Sequence, residues 1–387
     1  MKTLLHIGQS KTGTSAIQAF LAQNRRELSA SGVLYPQVRV GRLLLDVQSH
    51  NAVADALVGV TSIYPHLTAQ QYFDQFRAEA ERTGAEQMVL SAEHFFGGQP
   101  RVWDVPDEDA YLAGYAKKIE ALTGWLRGHE ITVLVYLRPQ VEWLASAIGQ
   151  AIRYEGLMQG RRIYESDRQY FEMSRPLLRY SRLLDLWRRI LAPATMLVIP
   201  YRREDLVGGD SVSDFLVRSQ LDHLCLSSAI TQADVNPSLS VEYLEVKKLL
   251  NREPRTKSQE RVAIECLDRL SRQSSRARSY QLDDEVVATI VDYVADDNAS
   301  LNARYMNTGR PFVARPDSAQ PAVRELLSDD EVRAAMTRFT KEYRRPRNVV
   351  RAMDYGIRRF LRQHAAPVHA MLHKAKRAVK AVRHRQT

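Results

Sequence analysis

Five short apolar runs, Leu4–Gly8, Val33–Tyr35, Met88–Ser91, Thr132–Leu137 and Met196–Pro200, punctuate the first half of the chain and are separated by amphipathic stretches. Each run is too short for a helix and too continuously apolar for a strand with one wet face, so each reads as a strand buried on both sides. Helical spacing fills the intervals at 14–30, 69–83, 110–127, 140–155 and 177–191; in the last, Leu177, Leu178, Leu183, Leu184, Trp187 and Leu191 recur at three and four. Strands alternating with helices need crossover connections. They predict an α/β fold of the P-loop type, three layers deep, with a central parallel sheet of about five strands and a helical C-terminal region from about residue 239. The run Asn307 to Pro311, then Pro316, Ser318 and Pro321, marks a break. The expected organisation is a main domain over 1–310, a linker and helix over 311–340, and a basic helical tail over 341–387.

Composition excludes several classes. The chain of 387 residues is 44% hydrophobic and 26% charged, as in an ordinary globular protein. It contains no run of about 18 apolar residues, and the apolar stretch Leu4 to Ile7 is too brief for a signal peptide, so a cytoplasmic, unprocessed chain is expected. Two cysteines, Cys225 and Cys266, lack the spacing of a zinc site or redox pair. The net charge of +10 is concentrated at one end: residues 341–387 hold 14 Lys and Arg against Glu342 and Asp354, leaving 41 basic and 43 acidic side chains before them. A basic tail is no argument for nucleic-acid binding by the main domain.

The first strand runs into His6-Ile-Gly-Gln-Ser-Lys-Thr-Gly-Thr-Ser15, a turn with two glycines followed by a helix start rich in hydroxyls. Gly8 and Gly13 allow backbone conformations closed to other residues, and the amides of Thr12, Gly13, Thr14 and Ser15 at a helix N-terminus suit an anion, with Lys11 adding a mobile positive charge. A nucleotide-phosphate loop of the GxxxxGK[ST] kind has its lysine directly after the glycine; here Lys11 precedes Gly13 by two residues, and no convincing metal-binding aspartate follows a later strand. A second feature is Val133 to Leu137 followed by Arg138, with Ser146 eight residues on. An arginine at a strand's end and a serine two turns into the next helix can converge on one phosphate.

The segment KTGTS at 11–15 resembles the 5′-phosphosulfate loop of sulfotransferases that use 3′-phosphoadenosine-5′-phosphosulfate (PAPS), and Arg138 with Ser146 resembles the family's 3′-phosphate motif. Leu197 to Asp205 is similar to its next strand, whose terminal tyrosine, here Tyr201, lies near the co-substrate. The phrases at 91–96 and 136–146 look closest to bacterial members. The matches follow the expected order over roughly residues 3–220.

The resemblance implies transfer of a sulfuryl group from PAPS to a hydroxyl or amine of a glycan, glycolipid or small metabolite, without a metal. Lys11 would neutralise charge on the leaving phosphate. The strand Met88–Ser91 ends in Glu93 and His94. Alignment of strand ends puts Glu93 at the position of the catalytic base, with His94 second; an ordinary ion pair is the alternative for Glu93. His50 lies in a loop where the acceptor could touch it, or is simply solvated. Specificity is expected in loops 36–68 and 94–110, whose sequences carry no motif. Other readings are a non-catalytic nucleotide-binding module and a P-loop kinase. In the tail, Val368, Met371, Leu372, Ala375, Val379 and Val382 recur among Lys and Arg, as a basic amphipathic helix on an anionic membrane surface would require, or as a solvated end would tolerate.

Overall fold

The computed structural model describes residues 1–352 except 42, 46, 62–64, 158–162, 193, 225, 227–237, 276–279, 307–309, 316–326 and 349. Cys225, the prolines at 316 and 321, and the tail from 353 onward lie outside the described residues. Two compact units emerge: unit 1 comprises 1–147, 165–236 and 281–324, and unit 2 comprises 148–164, 237–280 and 325–387.

The chain begins with β1 (Lys2–His6), α1 (Thr14–Gln23), α2 (Arg25–Ala30), β2 (Val33–Leu34), β3 (Val38–Val40), β4 (Leu43–Leu45), α3 (Asn51–Ala56) and α4 (Ala69–Thr83). Next come β5 (Gln87–Ser91), α5 (Glu93–Phe96), α6 (Glu108–Trp125), β6 (Glu130–Leu137), α7 (Gln140–Tyr154), α8 (Asp167–Leu178), α9 (Tyr180–Ile190), β7 (Thr195–Pro200) and α10 (Ser211–Arg218). Four helices follow: α11 (Val241–Leu250), α12 (Lys257–Gln273), α13 (Asp284–Tyr305) and α14 (Asp329–Tyr343).

The five expected strands form one parallel sheet in the order β2-β5-β1-β6-β7. Side chains alternate across it. Leu4, Val89, Leu134 and Tyr136 face a core built with α1 and α10, while Leu5, Leu90, Val133 and Val135 face the larger core built with α4, α6 and α9. Burial on both faces explains the continuous apolar runs and makes the fold three-layered. The chain leaves β1 toward one edge and returns past it to build the other, so the carboxyl end of β1 is a topological switch point, the usual ligand crevice of such sheets.

Three local readings need correction. The helix expected over 14–30 is broken at Asn24, whose buried amide donates to the Phe20 carbonyl at 2.9 Å and competes with the helix ladder. The helix expected over 177–191 is two, joined at Arg179, with φ −87° and ψ 78° outside the helical region; Pro176 lies in the last turn of α8. A hairpin of β3 and β4 and the short α3 occupy what reads as loop.

Unit 2 is helical. Capping boxes at Thr256 with Gln259 and Ser328 with Glu331 fix the starts of α12 and α14. Within it Lys247 and Glu260, 0% and 2% exposed, form an ion pair at 2.6 Å, and Gly156 leaves the room: a Cβ there would lie 2.5 Å from Glu260 Cδ. No helix among the described residues is long and apolar enough to cross a membrane.

Candidate functional site

The loop after β1 is shaped by three backbone constraints. Gly13 takes φ 77° and caps α1 without any side-chain cap bond. Lys11 takes φ 70°, a left-handed conformation that costs a non-glycine residue roughly 1–2 kcal/mol and that clusters at functional sites. Gly8 is fixed by contact, since a Cβ there would fall 2.3 Å from Thr14 Cγ2. Thr12, fully buried, donates to the Gln9 carbonyl at 2.6 Å and closes the turn. The first amides of α1, which a helix leaves without intrahelical partners, open beside the half-buried Lys11, an arrangement whose polarity suits an anion. Ser15 is half-buried in the first turn.

Two neighbouring strands bring their ends to this loop. From β5, Glu93 opens α5 and its carboxylate accepts a hydrogen bond from the buried Thr14 hydroxyl, so the strand-end carboxylate and the glycine-loop helix meet directly. From β6, the Arg138 amide donates to Gln9 Oε1 at 2.8 Å, and its guanidinium reaches the Lys11 carbonyl at 3.4 Å. The same guanidinium pairs with Glu142 at 3.2 Å, and the Arg138 carbonyl accepts from the Tyr180 hydroxyl at 2.9 Å. Arg138 is thus both a helix-start ion pair and a neighbour of the loop. Ser146, half-buried on α7, lies four residues beyond Glu142 and so on the same helix face one turn further on. Tyr201, half-buried after β7, anchors its amide to the Leu137 carbonyl at 2.7 Å, with its ring edge-on to Tyr136 at 6.4 Å.

The histidines separate sharply. His94 is 27% exposed at its side chain, and its Nδ1 pairs with Asp55 Oδ1 at 2.9 Å. His50 is not solvated: it is 2% exposed, its Nδ1 accepts from the Ser91 amide at 3.1 Å, and Nε2 therefore carries the proton and donates to the Pro36 carbonyl at 3.2 Å. Burial lowers its pKa to about 4. His6, at the end of β1, is fully buried with Nδ1 on Ser91 Oγ at 2.8 Å; burial lowers its pKa to about 3 and keeps it neutral.

Residues missed by sequence reasoning are mostly buried polar groups of this region: Gln9, which ties the loop to Arg138, Ser91, Asp55, and Lys118 on α6. Gln9 lies inside the glycine-bounded loop and could have been read from that position; Asp55 and Lys118 sit in helical spacing and leave no local signal.

At this end of the sheet, then, helix amides and a lysine favour an anion, an arginine adjoins them, and a carboxylate and a histidine stand at the next strand. No known family model matches the chain, and no curated protein is significantly similar to it.

Proposed function

We propose that the chain is a PAPS-dependent sulfotransferase acting on a hydroxyl or amine. The contact between the Thr14 hydroxyl and the Glu93 carboxylate carries this reading, because it sets a proton acceptor against the loop suited to the donor's phosphosulfate. Lys11 and the amides of Thr12, Gly13, Thr14 and Ser15 bind the 5′-phosphosulfate. Arg138 and Ser146 bind the 3′-phosphate, and Tyr201 packs near the nucleotide. Glu93 takes the acceptor's proton as the acceptor oxygen or nitrogen bonds to sulfur. The bond from sulfur to the phosphate oxygen breaks, and Lys11 meets the charge left on that oxygen. His94 stands next to the base as the second candidate for its role. The basic end at 341–387 extends the reading to peripheral contact with an anionic membrane at the cytoplasmic face, where a lipid-carried glycan acceptor would be met; vesicle co-sedimentation of the full chain and of a chain ending at Glu342 tests that extension.

Calorimetry and product mass test the core of the proposal. PAPS binds the wild-type chain, and incubation with PAPS and cell extract yields a product heavier by one SO3 group. Arg138→Ala and Ser146→Ala weaken PAPS much more than adenosine 5′-phosphosulfate, which lacks the 3′-phosphate. Lys11→Ala removes transfer activity with the fold intact, and Glu93→Gln lowers turnover roughly a hundredfold with PAPS still bound. Binding of ATP with magnesium in place of PAPS would overturn the assignment in favour of a kinase, and PAPS binding without turnover in favour of a binding module.

A further inference from the structure

The turn that carries Glu93 is held from beneath by a buried ammonium. Lys118 on α6 is 0% exposed, and its Nζ donates to the carbonyl oxygens of His94 and Gly97, each at 2.7 Å. A four-residue helix such as α5 cannot satisfy its terminal carbonyls internally, so Lys118 supplies donors that the turn lacks. The ring of Tyr115 lies 4.7 Å from the same ammonium. Asp55 on α3, 1% exposed, accepts from His94, and its charge partly opposes the desolvation of Lys118. The loop closes tightly on these groups: a Cβ on Gly98, at φ 71°, would lie 2.6 Å from His94 Cβ, and one on Gly114 of α6 would lie 2.7 Å from Pro100 Cγ.

Packing alone does not call for a lysine here. A leucine or methionine on the buried face of α6 would avoid the desolvation that lowers the Lys118 pKa to about 7. What the lysine nitrogen provides, and no apolar side chain does, is a pair of short bonds across the turn between Glu93 and Gly97. We propose that Lys118 is a positioning residue whose Nζ, bonded to the His94 and Gly97 carbonyls, fixes the Glu93–Gly97 turn so that the Glu93 carboxylate stays against the Thr14 hydroxyl. The proposal rests on the reading of Glu93 as the base, and Lys118 itself touches neither substrate.

The test uses the full chain with Lys118→Met, read in three ways. PAPS affinity stays within about twofold, kcat falls at least about tenfold, and amide exchange of residues 93–98 quickens about tenfold while that of β1 and α1 is unchanged. Ethylammonium added to Lys118→Ala restores part of kcat, and an uncharged alcohol does not. A normal kcat, or unchanged exchange at 93–98, overturns the proposal. Should Lys118→Met fail to fold, the smaller apolar variant Lys118→Leu is read instead; it too removes both carbonyl contacts, and a normal kcat there overturns the proposal equally. If the wild-type chain transfers no sulfuryl group, the proposed function fails, and the exchange of residues 93–98 alone decides the role of Lys118.

Discussion

Unit 1 and unit 2 bury their basic side chains by different means. In unit 1 the buried bases among the described residues, His6, His50 and Lys118, hydrogen-bond to uncharged groups: the Ser91 hydroxyl, the Ser91 amide with the Pro36 carbonyl, and the carbonyls of His94 and Gly97. In unit 2 the buried bases meet carboxylates directly, Lys247 on Glu260 and Arg153 on Asp268. A carboxylate partner favours the charged form and ties two segments together. Burial lowers the Lys247 pKa too, with Glu260 opposing it, whereas in unit 1 the bonded partners are dipoles and only Lys118 has a carboxylate, Asp55, in its field, so those bases are pushed toward neutrality, to about 3, 4 and 7. All three lie around the carboxyl ends of β1 and β5, beside the candidate site. The contrast separates bases paired with a carboxylate inside a helical unit from bases held by dipoles at strand ends.

The largest expected effect is in unit 2. Lys247→Met leaves the Glu260 carboxylate buried without its cation, and removal of one partner of a buried pair costs about 3–5 kcal/mol. Adding Glu260→Leu recovers most of that loss, because the uncompensated charge is gone. Urea unfolding of the full chain, with exchange read in α11 and α12, measures both, since a chain of two units need not unfold in one step. Equal losses in the single and double variants would show that the Lys247–Glu260 pair is stabilising in itself.

Where local pattern and tertiary fold say the same thing, the sequence is readable. The five apolar runs became the five sheet strands because burial on both faces leaves no polar alternation to confuse the period. The loop at 8–15 was legible because glycine, lysine and hydroxyls at a strand-to-helix turn carry local meaning. The break at Asn24 and the hairpin at β3 and β4 were not, since each depends on a side chain or partner that spacing does not show. His50 and His94 are the clearest case. Both stand near strand ends in the sequence, yet one spends both ring nitrogens inside the core while the other leans on Asp55 with part of its side chain in solvent. Only tertiary packing distinguishes them, and the same holds for Lys118, which reads as one polar position on an amphipathic helix.

Acid tests the two buried histidines of unit 1. His6 and His50 have folded pKa values of about 3 and 4, below the ordinary 6.5, so the unfolded chain takes up their protons first. Stability is therefore fully present above about pH 6.5 and is lost as pH falls toward 4. Two protons give a slope of about 2.7 kcal/mol per pH unit. His50→Gln halves that slope in urea unfolding between about pH 5 and 6. A slope below one proton in the wild-type chain would mean that these rings are not held neutral, and the contrast between the units would lose two of its three members.

The smallest effect concerns Lys118 and runs in the alkaline direction. Its folded pKa of about 7 lies below the ordinary 10.5, so between these values the folded chain carries one proton fewer than the unfolded chain. Unfolding then takes up a proton, and stability rises with pH by about 1.4 kcal/mol per unit. The upper part of the window is obscured. Burial raises the Cys266 pKa to about 11 and that of Tyr72 to about 12, and groups raised in this way lose their protons first in the unfolded chain, which lowers stability as pH climbs. Measurement between about pH 7.5 and 8.5 avoids them, and there the expected gain is about 1.4 kcal/mol. Lys118→Met removes that gain, whereas Lys118→Arg keeps a charge across the range and removes it too if the variant folds. The lost increment reports on the amine itself, independently of turnover, so it separates a buried titrating amine from a lysine that merely fills space. An identical rise in Lys118→Met would show that another group supplies the proton, Lys247 first among them because burial lowers its pKa as well, and the contrast between the units would then lose its third member.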